Sequence, residues 1–231
     1  MSAHAEQVKQ LLHAVSHAGT TNGEALCTKV EAVATPLLLW LEYLLAFRVT
    51  GSADELLKGC QSAIVESAAC VAIGLVRPAL FSLRGQIDLL LCWLYFKDHP
   101  VEWQYLERTG EGFMLKKDVL KYLDAHIAGF STRLGILKQC KLRGEEDPYR
   151  LLSAHVHSQS SKVVPTLKAL ADVVMASRTC SEFVDLQAEC IEYLNDILLG
   201  VYASAWAALP KPLVDAARNR MSPGQEAVVF A

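Results

Sequence analysis

Apolar residues recur at helical spacing along nearly the whole chain, and this pattern limits the fold more than any other feature. No segment alternates apolar and polar residues over enough positions to indicate a β-strand. Hydrophobic residues make up 52% of the 231 positions, which is enough for a well-buried core. The sequence therefore predicts an all-α fold, an antiparallel bundle of about seven to nine helices joined by short loops.

Turn-forming residues divide the chain into three predicted parts of one domain, residues 1–231. Residues 1–50 are expected to form an N-terminal helical pair, which ends at the Thr-Gly-Ser turn that follows. Residues 51–208 form the predicted core of the bundle, and residues 209–231 form a short C-terminal tail that frays. No internal repeat and no shift in composition separates these parts, so we expect a single all-α domain.

Glycine and proline set the predicted helix ends. The N-terminal pair should consist of helices over about Ala3–His17 and Glu24–Phe47, with a stop at the Gly-Thr-Thr-Asn-Gly run between them. The long helical stretch that follows should be interrupted around Gly74 and Pro78, with a kink or short break near Arg77, because proline lacks an amide donor and crowds the preceding turn. Further helices are predicted over about Leu115–Gln139 and Pro165–Ser177.

Charge and cysteine usage narrow the environment of the protein. The formal net charge of −3 and the pI near 6.2 argue against coating of nucleic acid by bulk electrostatics, although they allow a local basic pocket. The seven cysteines form no C-x-x-C pair, which is typical of a reducing compartment. No export signal opens the sequence, and the apolar run Ala32–Phe47 is shorter than the roughly 20 residues of a membrane span. We expect a soluble, cytoplasmic protein without a membrane partner.

The segment from Asp147 to His157 carries the clearest chemical signal. Asp147 and Pro148 suit the N-cap and first position of a helix. Arg150 and His157 are seven positions apart, which places them within about 20° of one another around that helix, whereas His155 lies about 140° from the arginine. A permanent cation beside a histidine that titrates near neutrality can support acid/base chemistry next to a phosphate. The plainer interpretation is that these side chains are simply solvated.

Two stretches resemble the HEPN superfamily of all-α, nucleic-acid-associated proteins. The run from Tyr149 to His157 resembles its R-x(4–6)-H motif, which both His155 and His157 fit by spacing from Arg150. The stretch Arg84–Pro100 resembles the central helix of such proteins, in which an arginine and an acidic residue precede an apolar run. Together the two matches cover about residues 75–175, so the resemblance implies a HEPN-like core within the predicted bundle.

The resemblance implies a function and a set of site residues. HEPN ribonucleases cleave RNA without a metal and often act as homodimers with a composite site, in prokaryotic defence or beside an antitoxin. Here it implies that Arg150 binds phosphate and that His157, or alternatively His155, transfers protons. Arg84, Tyr149 and Ser153 would contact the substrate.

Other interpretations stay open at this point. Leu151 follows the motif arginine, where active members often have a polar residue, so an inactive RNA-binding or protein-interaction module of the same fold is an alternative. An unrelated helical adaptor is a third. Arg84 can also pair with Asp88, four residues on.

No metal or cofactor is predicted. His155 and His157 are two positions apart and point in nearly opposite directions around a helix, so they cannot chelate one ion together. The glycines form no phosphate-binding loop of the G-x-x-x-x-G-K or G-x-G-x-x-G type. Ser153 lies outside any G-x-S-x-G frame, which argues against a hydrolase nucleophile.

Overall fold

A computed structural model describes residues 2–161 and 163–231 of the protein, and 76% of it is helical with no strand in these described residues. The all-α prediction is confirmed. The described chain has eleven α-helical segments, the first two of which run into one another, so there are ten separate helices instead of seven to nine. In chain order they are α1 Ala3–Ala18, α2 Glu24–Phe47, α3 Glu55–Ala72, α4 Val76–Phe96, α5 Pro100–Thr109, α6 Lys116–His126, α7 Phe130–Gln139, α8 Pro148–Val156, α9 Ser177–Tyr202, α10 Lys211–Arg218 and α11 Pro223–Val229.

The predicted stop between the first two helices is replaced by a π-helical turn, Gly19–Gly23. Glycine and threonine do not end the helix here, because the Thr20 hydroxyl donates to the carbonyl oxygen of Ser16 at 2.8 Å and supports the wider turn. Helices α1 and α2 therefore form one continuous run, Ala3–Phe47. The predicted bounds of α2 are confirmed.

Two compact units account for the described chain. The first unit comprises the described residues of Met1–Ala34, Ser62–Gly85 and Asp147–Cys190, and the second comprises Thr35–Gln61, Gln86–Glu146 and Ile191–Ala231. Within the first unit, side chains such as Val30, Val71 and Leu83 are fully buried. Within the second, Trp40 and Trp93 are fully buried, and the Trp40 indole donates to Asn195 Oδ1 at 2.8 Å.

Of the two interruptions predicted around Gly74 and Pro78, the one at Gly74 is the break between α3 and α4. Gly74 adopts a φ of +82°, and its carbonyl oxygen accepts a hydrogen bond from the Met175 amide at 2.8 Å. A Cβ on Gly74 would approach Val174 Cγ1 to 2.6 Å, so this turn needs glycine for space as well as for conformation. Pro78 lies in the first turn of α4, where its missing amide proton interrupts no helical hydrogen bond, so α4 continues from Val76.

Two other helix predictions were wrong in length or kind. The helix expected over Leu115–Gln139 is two helices, α6 and α7, separated by Gly129 with a φ of +73°. The stretch Pro165–Ser177 is not a helix beyond the short 3₁₀ turn Leu170–Val173. Its Asp172 carboxylate accepts the backbone amides of Lys168 and Ala169, both at 2.9 Å, which offers the backbone an alternative to helical hydrogen bonds.

The C-terminal segment, expected to fray, contains α10 and α11. Helix α10 buries Leu213, Val214 and Ala217 on one side. Ser222 caps α11, with its hydroxyl accepting the Gln225 amide while the Gln225 side chain accepts the Ser222 amide. The Ser-Pro-Gly run at residues 222–224 therefore marks the start of a helix.

Two helices have the length and composition of a membrane span, Ala3–Phe47 and Val76–Phe96, among the residues that the structure describes. A third arises if the bent pair Leu170–Ala208 and Lys211–Arg218, at 117° to one another, is counted as one span. These spans were not predicted from the sequence, because the apolar run Ala32–Phe47 alone is shorter than a membrane span. Cytoplasmic location stays a prediction.

Candidate functional site

Helix α8 ends in a way that fixes the position of His157. Ser158 has a left-handed φ of 49°, the His157 amide donates to the Ser153 carbonyl oxygen at 2.9 Å, and the Gln159 amide donates to the Ala154 carbonyl oxygen at 3.0 Å. This is the hydrogen-bond pattern of a Schellman motif, which satisfies carbonyl groups at the end of the helix. On the inner side Leu152 is fully buried. His157 is therefore exposed on a helix end with a defined backbone.

Arg84 of α4 meets α8 through two side chains. Its Nη1 lies 3.2 Å from Nε2 of His157, its Nη2 donates to the Tyr149 hydroxyl at 2.8 Å, and its guanidinium carbon lies 4.8 Å from the centre of the Tyr149 ring. A guanidinium only donates hydrogen bonds, so Nε2 of His157 must accept, which places the imidazole proton on Nδ1. Arg84 therefore faces the α8 segment.

His155 has a different environment from His157. It is half-buried, and burial lowers its pKa from the ordinary 6.5, an effect to which the positive charge of Arg77 adds. Arg77 precedes Arg84 by seven residues on the continuous helix α4, so both arginines project to within about 20° of one another. Sequence reasoning left Arg77 out of the site because Pro78 made continuity doubtful. The seven-residue spacing was the signal that identifies it.

The remaining predicted residues lie on α8 without joining this contact. The Arg150 side chain is exposed, and only its backbone amide is held, by the Asp147 carbonyl oxygen at 3.1 Å. Among the described residues, no hydrogen bond connects the Arg150 guanidinium to His155 or His157. Ser153 is half-buried and contributes its carbonyl oxygen to the end of the helix. The structure thus joins His157 and Tyr149 to Arg84 rather than to Arg150.

This arrangement can bind an oxyanion and move a proton. Arg84 presents two nitrogen donors in a fork that suits phosphate or carboxylate oxygens. A neutral imidazole with a lone pair on Nε2 can act as a base, and Tyr149 supplies a phenol at hydrogen-bond distance from the same guanidinium. The three side chains are exposed or half-buried, so a ligand can approach them from solvent.

A second arginine cluster lies in the second unit and has a different chemistry. Arg143 donates to Asp196 Oδ2 at 2.5 Å, and Arg220 donates to Asp196 Oδ1 at 2.7 Å and to Glu192 Oε1 at 2.8 Å. The side chains of Arg143 and Asp196 are 0% exposed, and those of Arg220 and Glu192 are 7% and 18% exposed. Burial lowers the pKa of Arg220, but the two carboxylates outweigh burial and raise it. This cluster balances two cations with two anions away from solvent.

Possible metal ligands are scattered through the described chain. Residues 2–161 and 163–231 contain no group of three or more His, Cys, Asp or Glu side chains that could hold an ion. All seven cysteines are free thiols, and burial raises the pKa of both Cys60 and Cys92 to about 12.

No protein-family model, curated protein or solved structure matches this chain. The HEPN resemblance therefore depends only on the residues of its two stretches.

Proposed function

We propose that this protein is a metal-independent endoribonuclease of the HEPN type, with its site on the facing sides of α4 and α8. The observation that carries the proposal is the contact of Arg84 with His157 and Tyr149. It supplies a phosphate-binding cation and a proton acceptor within one hydrogen bond of each other. Metal independence and the HEPN family come from the resemblance alone.

RNA needs little more than these groups to cleave itself. The 2′-hydroxyl oxygen attacks the neighbouring phosphorus, its proton passes to Nε2 of His157, and the bond from phosphorus to the 5′-oxygen breaks. An acid protonates the leaving 5′-oxygen, which leaves a 2′,3′-cyclic phosphate and a 5′-hydroxyl end. Arg84 and the exposed Arg150 would stabilise the charge that develops on the phosphate oxygens.

Substrate binding would also free the base. In the structure Nε2 of His157 accepts a hydrogen bond from Arg84, so it cannot take a proton at the same time. A phosphate oxygen is a stronger acceptor for a guanidinium than a neutral ring nitrogen. Phosphate binding should therefore draw the Arg84 donor away and expose the lone pair of His157 to the 2′-hydroxyl.

The acid has two sources in this proposal. His155 lies on the same helix, but burial and Arg77 lower its pKa. At neutral pH, few His155 rings therefore carry the proton that an acid must supply. The motif histidine of a second copy of the chain is the better source, which requires a homodimer with a composite cleft. A prokaryotic defence or toxin–antitoxin role, with an antitoxin as protein partner, follows from the resemblance.

One observation favours a second candidate function. The Arg150 side chain is exposed and, among the described residues, is hydrogen-bonded to neither histidine of the motif, and Leu151 follows it. A catalytically inactive RNA-binding or protein-interaction module of the same fold would show the same basic surface. An RNA-binding module would differ from the nuclease in leaving its bound RNA intact, and a protein-interaction module would bind no RNA.

The decisive experiment is RNA cleavage by purified protein in excess EDTA, with His157→Ala and Arg150→Ala beside the parent chain. The proposal expects cleavage that both substitutions remove while circular dichroism shows an unchanged helical content. His126→Ala, at an exposed histidine of α6, is the matched control and should cleave normally. A substrate with a 2′-deoxy sugar at the cleavage position should resist.

Each other outcome assigns the protein differently. Tight RNA binding without cleavage would establish the inactive module and reject the nuclease. Cleavage that survives both substitutions would indicate a contaminating enzyme. Specific activity that stays constant over dilution through the dimer dissociation range would reject the composite site.

A further inference from the structure

The first unit contains a cavity that none of the residues of α4 or α8 lines. Its volume is about 460 Å³, and its walls come from the end of α1, the π-helical turn, the end of α3 and residues 174–180. Ligand sites in proteins usually measure about 300–1,000 Å³. The cavity therefore has the size of a binding site for a small molecule.

The wall of the cavity is mainly apolar and carries no fixed charge. Ala14, Leu26, Val71 and Met175 are among the apolar residues that line it, and no Lys, Arg, Asp or Glu does. Without a lysine or arginine to balance it, a phosphate would lose its hydration in this cavity without compensation. The composition thus favours an aliphatic ligand over a multiply charged one.

Three polar side chains of the wall lie at the end of α1 and in the π-helical turn, and Ser177 adds a hydroxyl elsewhere in the lining. His17, Thr21 and Asn22 all line the cavity, and the Thr21 hydroxyl lies 3.5 Å from Nδ1 of His17. They offer hydrogen bonds at one place beside apolar walls, which is how small-molecule sites orient a ligand. π-Helical turns inside α-helices are frequent at functional sites.

The part of the wall beside Ala18 is held by a close backbone approach. The Gly74 carbonyl oxygen bonds to the Met175 amide, and Gly74 leaves no room for a Cβ against Val174. Gly74, Val174 and Met175 all line the cavity. The shape of this wall therefore depends on a fixed turn rather than on a mobile loop.

From these observations we infer that the cavity binds a single-chain aliphatic molecule that ends in one hydrogen-bonding group with at most one negative charge. The chain would lie against the apolar wall, and the polar end would meet His17, Thr21 and Asn22. This inference is independent of RNA cleavage, since it uses none of the residues of the α4 and α8 site.

The test is calorimetric titration of the whole protein with octan-1-ol, octanoate and octyl phosphate. Saturable binding of octan-1-ol, octanoate or both supports the inference and shows which polar end the site takes. Octyl phosphate should bind about tenfold more weakly or worse than the better of the other two. No saturable binding of the alcohol or the acid up to their solubility would reject the site, and equal binding of octyl phosphate would reject the assigned end group.

Two substitutions locate the binding in this cavity. Ala14→Trp fills the space and should weaken binding by about tenfold or more, whereas Leu12→Trp, at a position of α1 that is 64% exposed, should leave it unchanged. Val174→Ala enlarges the cavity and should shift the preference from octan-1-ol to decan-1-ol. If Ala14→Trp and Leu12→Trp bind equally well, or Val174→Ala leaves the chain-length preference unchanged, the ligand lies elsewhere and the inference fails.

Discussion

The two arginine clusters of this protein differ in how deeply they are buried. Arg143 and Arg220 donate to the carboxylates of Asp196 and Glu192, in a cluster where no side chain is more than 18% exposed. Arg84 is half-buried and donates to a ring nitrogen and a phenol oxygen. The buried cluster is suited to holding its own chain together, and the half-buried one, which solvent reaches, is open to a ligand.

The number of arginines in a cluster therefore does not by itself locate a phosphate site. Both clusters contain two arginines within one unit if Arg77 is counted with Arg84. What separates them is how far solvent reaches each guanidinium. The following predictions test that distinction, from the largest effect to the smallest.

Asp196→Ala should lower the free energy of unfolding by about 3–5 kcal/mol, because it leaves two buried arginines without their shared carboxylate. Urea denaturation monitored by circular dichroism measures this change. Glu182→Ala, in the exposed pair with Arg178 on α9, is the control and should barely move the unfolding midpoint. Equal effects of the two substitutions would show that the buried cluster contributes no more to the free energy of unfolding than an exposed ion pair does.

Arg84→Lys should reduce RNA cleavage by about tenfold while leaving the unfolding midpoint nearly unchanged. A lysine keeps the charge but has no planar fork, so it cannot reach both the Tyr149 hydroxyl and His157 Nε2 in the same way. Initial rates at saturating RNA measure the effect, and Arg178→Lys on the exposed face of α9 serves as the control. A midpoint that falls as far as in Asp196→Ala would remove the contrast between the clusters.

Acid should destabilise the protein through His155. Its pKa in the folded protein lies below the ordinary 6.5, so the unfolded chain binds a proton that the folded chain does not. The free energy of unfolding should therefore fall as the pH drops below 6.5 and flatten once the folded histidine also protonates. Urea midpoints across this range should show a shallower slope in His155→Gln than in the parent chain, and an identical slope would contradict the buried environment of this histidine.

Arg77→Met should raise the pKa of His155 by a small amount, since it removes the cation beside the ring while burial remains the larger cause. Titration of the His155 ring by NMR gives the value directly. Arg178→Met, at an exposed position of α9, provides the comparison. An unchanged pKa would mean that Arg77 does not belong to the site.

Periodicity predicted the class of the fold and several helix ends. The bounds of α2 and the start of α8 at Pro148 followed from apolar spacing and from proline at a first helical position. The split at Gly129 and the non-helical stretch before α9 did not follow from apolar spacing. These depend on a left-handed glycine and on hydrogen bonds that the Asp172 carboxylate accepts from backbone amides, which a window of residue types cannot distinguish from a continuing helix.

The candidate site was predicted in part. The motif placed Tyr149 and His157 on one short helix and proposed Arg84 as a neighbour from another, and the structure brings these three together. That Arg84, and not Arg150, contacts His157 depends on how α4 lies against α8, which is tertiary information. The buried cluster around Asp196 joins segments far apart in sequence, so no local spacing indicated it.

The left-handed turn at Ser158 fixes the residue at which α8 ends. The direction of the His157 side chain therefore depends on the number of residues in α8 as well as on their identity. Inserting or deleting one residue between Tyr149 and His157 would rotate the imidazole by about 100° around the helix axis. Apart from the site residues Arg150, Ser153 and His155, the chain should therefore accept many replacements within residues 151–156 that keep Leu152 buried, yet no change in the number of residues there. Homologous sequences should align across this stretch without a gap.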